Sequence, residues 1–244
     1  MPLRGRCNLP WRLVPSCFFS GCLLLVAGCN LHKTSVHPYP AQTPSTVIYP
    51  HRWVAPLFDP EMAASTLDTH ERDRWQQPGR IVASLHLKPG NVVADVGAGS
   101  GYLMPYLSHA VGPHGIVYAE EIQKGFLPML HRRARALGNV RIVEGTASDP
   151  HLPAHMVDCF VLLTVYHEVQ QPIGFLKTLR ALTKPGTQLA IIDFDKQRKG
   201  YPPAPYGHEV ATDAVIAEAR AAGWTLSTRY EFIPSQFFLV FRPS

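Results

Sequence analysis

Charged side chains make up only 17% of the 244 residues, and no stripe of lysine and arginine runs through them. A nucleic-acid groove needs such a stripe, so none is expected. Cysteine is scarce as well. Four of the five, Cys7, Cys17, Cys22 and Cys29, crowd into the first 29 residues and leave Cys159 alone in an apolar run. One cysteine makes no internal disulfide, and no Cys/His spacing suggests zinc, so no metal is expected. No internal repeat is present. The apolar stretch from Leu13 to Ala27 is broken by Pro15 and Ser16 and is short for a transmembrane helix. The apolar fraction is 46%, which supports a packed core. The length suits one α/β domain with an appendage.

The appendage is N-terminal. Three of the five net positive charges sit there, as Arg4, Arg6 and Arg12 with no acid among residues 1–28. A basic start, a short apolar run and small residues at its end form a signal-peptide pattern. The run closes in Val26-Ala27-Gly28-Cys29, which resembles a bacterial lipobox. That resemblance implies diacylation of Cys29 and a membrane-anchored lipoprotein of the cell envelope, or a cytosolic protein if the leader is not processed. Pro38, Pro40, Pro44, Pro50, Pro56 and Pro60 follow. The expected organisation is a signal peptide over 1–28, a lipidated, proline-rich tether over 29–60, and one domain over 61–244.

The domain begins with a polar helical stretch from Glu61 to Gln77, stopped at Pro78-Gly79, and a short helix over Arg80–Leu87. From Asn91 onward strands and helices alternate. Strands are expected at Asn91–Val96, Gly115–Ala119, Val140–Glu144, Val157–Val165 and Gln188–Phe194. Helices are expected at Gly99–Val111, Gln123–Leu137, Pro172–Leu182 and Glu209–Ala222. A closing hairpin, Leu226–Phe232 and Phe237–Phe241, adds an antiparallel edge. Such alternation predicts a parallel sheet covered on both faces.

The first strand runs straight into Gly97-Ala-Gly99-Ser-Gly101, where glycines let the chain turn sharply and a ligand come close. A dinucleotide fingerprint would need glycine at position 102, which is Tyr102, so a nicotinamide-linked dehydrogenase is disfavoured. The motif instead opens on Asp95. A carboxylate there repels pyrophosphate but suits the ammonium group of S-adenosylmethionine. The second strand ends in Glu120-Glu121. An acid at this distance accepts hydrogen bonds from ribose hydroxyls, and alternation along a strand lets only one of the pair reach the ligand. Glu121 is the choice, with Glu120 left to solvent.

From about Glu71 to Phe241 the chain resembles class I methyltransferases of the UbiE/arsenite-methyltransferase-like type. The resemblance rests on the 93–102 turn, Val117–Ile122, Val143–Pro153 and Leu182–Phe194. It implies a Rossmann-like three-layer sandwich with a seven-stranded, mostly parallel sheet and one antiparallel strand. It also implies methyl transfer from S-adenosylmethionine, held by Asp95, Gly97, Gly99, Gly101 and Glu121. After the third strand the family often has Gly-Asp-Ala, where this chain has Gly145-Thr146-Ala147. Thr146 and Ala147 are the expected adenine contacts, with Asp149 a possible substitute for the acid.

The fourth strand ends in Tyr166-His167-Glu168. Methyl transfer draws most of its rate from alignment, and a base serves only an acceptor that loses a proton. His167 is typed for that role and Tyr166 for lining the donor or orienting the acceptor. The stretch Glu71–Pro78 can form a lid over the donor, or Trp75 can anchor it on the core. His208 and Gln236 are open between substrate contact and structural capping. The acceptor is an unidentified small molecule. The leader motivates a second reading, a non-catalytic envelope protein that binds a nucleoside-like or lipophilic ligand on the same fold.

Overall fold

The computed structural model describes residues 59–244 except Tyr206. The leader, Cys29 and the tether to residue 58 lie outside the described residues. Among those described, no helix is long and apolar enough to cross a membrane.

Three short helices precede the sheet: α1 (Pro60–Leu67), α2 (His70–Gln76) and α3 (Pro78–Ser84). The single helix expected over 61–77 is broken because Thr69 caps a new one, its hydroxyl accepting from the Arg72 N–H. Gln77 is left-handed at the end of α2, and Pro78 starts α3 at a position that needs no N–H. The alternating part follows as β1 (Val92–Val96), α4 (Met104–Val111), β2 (Ile116–Glu121), α5 (Leu127–Leu137), β3 (Val140–Glu144), β4 (Cys159–Leu163), α6 (Pro172–Ala181) and β5 (Gln188–Asp195). The chain closes with β6 (Glu209–Val210), α7 (Thr212–Ala221), β7 (Trp224–Tyr230) and β8 (Gln236–Pro243). The expected helix from Gly99 starts only at Met104, because Gly99 and Gly101 have φ of 55° and 85°.

The strands lie in the order β3-β2-β1-β4-β5-β8-β7, with the two-residue β6 added alongside β5. β8 is antiparallel to both neighbours and the other pairings are parallel. The fold is therefore the Rossmann-like sandwich, enlarged by one minimal strand. The closing hairpin does not place β8 at the edge. Residues 236–241 are buried throughout, whereas β7 alternates in exposure. An all-apolar strand belongs inside the sheet and an alternating one at its rim.

Alternation within the central strands divides the core. Ala94, Phe160, Leu162, Ile191 and Leu239 face α6 and α7 through Leu176, Leu179 and Val215. Val93, Val117, Val161, Ile192 and Phe238 face α3 and α4 through Ile81, Leu107 and Val111. Cys159 is buried on that second side. Helix α5 covers the same face farther out, through Phe126 and Leu130. All parallel strands point their carboxyl ends at one rim. The strand order reverses on either side of β1, which opens a crevice there.

Candidate functional site

The crevice is lined from four directions. Asp95, Gly97 and Gly99 come from the turn after β1, Glu120 and Glu121 from the end of β2, Thr146 and Ala147 from the loop after β3, and Thr164 to Val165 and Glu168 to Gln170 from the turn after β4. Leu67 and Arg72 close it from α1 and α2.

The glycines divide their work. A Cβ on Gly99 would meet no heavy atom within 4 Å, so its face is open to the crevice. A Cβ on Gly101 would lie 2.7 Å from Met104 Sδ and 3.0 Å from Leu130 Cδ2. Gly101 thus lets the turn pack on α4 and α5 and does not line the crevice, contrary to its expected ligand role. Gly97 has φ of 72° and its missing side chain makes room for Val165.

Both glutamates engage this turn. Glu121 Oε2 accepts from the Gly99 N–H at 2.8 Å and its Oε1 from the Gln123 N–H at 2.8 Å. Glu120 Oε2 accepts from the Gly97 N–H at 3.1 Å. Glu120 is buried, not solvated, and a Cβ on Gly145 would collide with its carboxylate. The alternation rule fails here because the turn wraps across the tip of the sheet and meets side chains from both faces. Burial pushes the Glu120 carboxyl up to about 8, offset in part by the Gly97 N–H, and pushes Glu121 upward as well. Asp95 is raised to about 7, first by burial and then by Glu121. Its Oδ2 is buried and takes no hydrogen bond.

The stretch Glu71–Pro78, expected either to cover the donor or to anchor on the core, supplies Arg72, which no motif singled out by itself. Its guanidinium stacks 3.9 Å over the Tyr102 ring and donates to Gln76 Oε1 and the Leu67 carbonyl. Its charge bears on Asp95. Gln76 is buried beside it and donates to Thr164 Oγ1 and Gln236 Oε1. This answers the question over Gln236, which joins α2 to the β4 turn. Trp75 packs on Phe194 with ring centroids 5.9 Å apart, so it anchors α2. The two helices are further clamped to the turn by Ser100 donating to Asp68, Asp68 pairing with Arg133, and Tyr102 donating to Asp73. Anchoring and roofing are therefore one arrangement. The only sequence cue was a charged helix ahead of the fold, and its docking depends on partners far along the chain.

Thr146 and Ala147 line the crevice, while Asp149 turns into its own loop, exchanging hydrogen bonds with Thr146 and accepting from the His151 N–H. Tyr166 does not face the crevice. It is fully buried in the core beneath α6 and α7, and its hydroxyl donates to Glu218 at 2.8 Å. The 3₁₀ turn Tyr166–Glu168 directs adjacent side chains to different sides. His167 is 1% exposed, with Nδ1 2.9 Å from Asp193 Oδ1. Burial lowers its pKa, but Asp193 and Glu168 override this and raise it to about 9. A histidine so placed is held on its Nδ1 side by Asp193 and turns Nε2 toward Glu168. Asp193 is a charge within the run Leu189–Phe194, which is otherwise apolar, and that was its signal in the sequence.

Residues 94–191 match the model of a methyltransferase domain family. The chain is 29% identical over 113 residues to the ubiquinone/menaquinone biosynthesis C-methyltransferase UbiE of Pseudomonas fluorescens, covering 45% of this chain and 44% of that protein. It is 28% identical over 112 residues to the Vibrio cholerae UbiE, with 45% and 43% covered. The chain thus spans under half the length of these curated relatives. A crystal structure of a SAM-dependent methyltransferase from Aquifex aeolicus superimposes with a TM-score of 0.69 at 30% identity, covering 75% of this chain and 98% of that one. Fibrillarin of Aeropyrum pernix, crystallised with natively bound S-adenosyl-L-methionine, shares the fold at 17% identity and a TM-score of 0.51, with 67% and 73% covered.

Proposed function

Because the chain belongs to the class I S-adenosylmethionine-dependent methyltransferases, we propose that the crevice holds the donor with its methionine end between Asp95 and Arg72, and that it methylates a small molecule entering past the β4 turn. The donor supplies an electrophilic methyl group on a sulfonium. Everything else falls to the protein, which must bind, align and exclude water.

The residues fit the donor. One buried carboxyl oxygen without a hydrogen bond, Asp95 Oδ2, lies in the same crevice as a buried guanidinium. That opposed pair is the observation that carries the reading, since an amino acid offers an ammonium and a carboxylate together. Glu121 accepts from the ribose hydroxyls with the oxygen capacity its backbone donors leave over. Thr146 and Ala147 form the adenine rim. On the acceptor side stand Thr164, Val165 and the Glu168 carboxylate, with His167 behind them.

Isothermal titration of the purified chain with S-adenosylmethionine tests this reading. Arg72→Met should weaken binding by roughly tenfold or more, as loss of a charge-assisted hydrogen bond does. The homologue lacking only the α-carboxylate should bind wild type and variant alike. An equal loss for both ligands would show that Arg72 acts through packing, and no donor binding at millimolar concentration would overturn the assignment.

The leader supports a second part of the proposal, that Cys29 is lipidated and tethers the domain to the membrane as an envelope lipoprotein. Globomycin treatment of cells should then make the unprocessed precursor accumulate in the membrane fraction. An unchanged mass in the cytosolic fraction would contradict tethering and leave the donor site untouched.

A further inference from the structure

We propose that His167, Glu168 and His208 form a binding site for one divalent first-row transition-metal ion at the acceptor side of the crevice, with Asp193 as the outer carboxylate that aims His167. No metal was expected from the sequence, because His208 lies on a different loop from the other two and no short spacing links them.

The geometry begins with Asp193, which is fully buried at the end of β5. One carboxylate oxygen accepts from the His167 backbone N–H at 2.9 Å, and the carboxylate also holds the ring through Nδ1. Both the position and the tilt of the imidazole are thereby fixed. The opposite nitrogen, Nε2, is buried and has no hydrogen-bond partner, with Glu168 Oε1 3.5 Å away. A histidine held by a carboxylate on one nitrogen and directed by the other is the usual form of a metal-ligating histidine.

The third donor arrives from the loop after β5. The His208 ring lies 4.7 Å from the His167 ring, centroid to centroid, at 44°. It is held there because the next residue, Glu209, pairs with Phe194 through β6. That two-residue strand thereby fixes a ligand as well as carrying Val210 into the core. One donor atom from each of the three side chains lies within 4.8 Å of the other two. Bonds of about 2.0–2.2 Å to zinc place tetrahedral ligands roughly 3.4 Å apart, so closure by about an ångström completes the set. Glu168 also lines the crevice, so an ion on these side chains would sit beside it. Two imidazoles and a carboxylate suit zinc or ferrous iron better than magnesium or calcium.

Zinc is the probe for the test. The full chain, stripped with chelator and dialysed, should bind one Zn²⁺ per molecule by calorimetry. Cobalt(II) in its place should show the visible bands of a low-symmetry site. His208→Ala and Glu168→Gln should each weaken the ion at least tenfold, while His109→Ala, an exposed histidine on α4, should not. Thermal melts measured alongside show that the variants are folded. Binding below one equivalent, or affinity unchanged in both variants, would mean that the histidines are a packed pair and no metal site.

Discussion

Gly99→Asp should abolish binding of S-adenosylmethionine while leaving the protein folded. A Cβ at this position meets nothing within 4 Å, so the new side chain starts into open space. The φ of 55° is left-handed, where aspartate is among the better-tolerated residues. The carboxylate instead takes up space in the crevice, beside Asp95, Glu120 and Glu121. The loss in affinity should be on the order of a hundredfold or more, about 3 kcal/mol, with melting lowered by only a few degrees (roughly 1 kcal/mol of backbone strain). Gly101→Ala should behave in the opposite way, since its Cβ strikes Met104 and Leu130. Calorimetry and thermal melts of both variants check the pair. Gly99→Asp binding within fivefold of wild type would place the donor elsewhere.

Acidification should stabilise the unliganded protein and weaken its grip on the donor. Asp95 is raised to about 7 and Glu120 to about 8, mainly by burial. In the unfolded chain both lose their protons near pH 4. Between those limits the folded state holds protons that the unfolded state has released, so stability falls as pH rises. It is fully present below the unfolded pKa values and is lost as pH passes through 7 to 8. Melting temperature should therefore climb by about 5 °C or more from pH 8.5 to 5.5. The increment added by S-adenosylmethionine should shrink over the same range, because a protonated Asp95 no longer offers a charge to an ammonium group. Asp95→Asn should flatten both trends. A melting temperature that falls on acidification, or a ligand increment independent of pH, would show that Asp95 is ionised throughout.

The features legible in the sequence share one property, that of being set locally. A run such as Asn91–Val96 followed by glycines announces a buried strand and a sharp turn in a dozen residues, and Glu121 follows from its distance to that turn. What escaped depends on long-range docking. Arg72 and Gln76 sit on a charged helix whose partners, Tyr102, Thr164 and Gln236, come from three other places. Glu120 escaped for a geometric reason, because strand alternation holds along a sheet and not at its tip. Tyr166 was misplaced because a 3₁₀ turn separates adjacent side chains in a way that period-two reasoning does not capture. His208 could be placed only once β6 was known to pair with β5.

The clamp of α1 and α2 on the glycine turn bears on where the autonomous unit begins. The family match starts at residue 94, inside β1. A polypeptide cut at that boundary would retain most of the sheet but lose Arg72, Gln76 and the Asp68 and Asp73 carboxylates that Ser100 and Tyr102 reach. Its crevice would be open to solvent on the side that Leu67 and Arg72 close. A truncation that keeps the clamp of α1 and α2 therefore starts no later than Asp59, the residue that caps α1. Residues before the recognised domain thus line the crevice, and comparisons of specificity among relatives should include that segment.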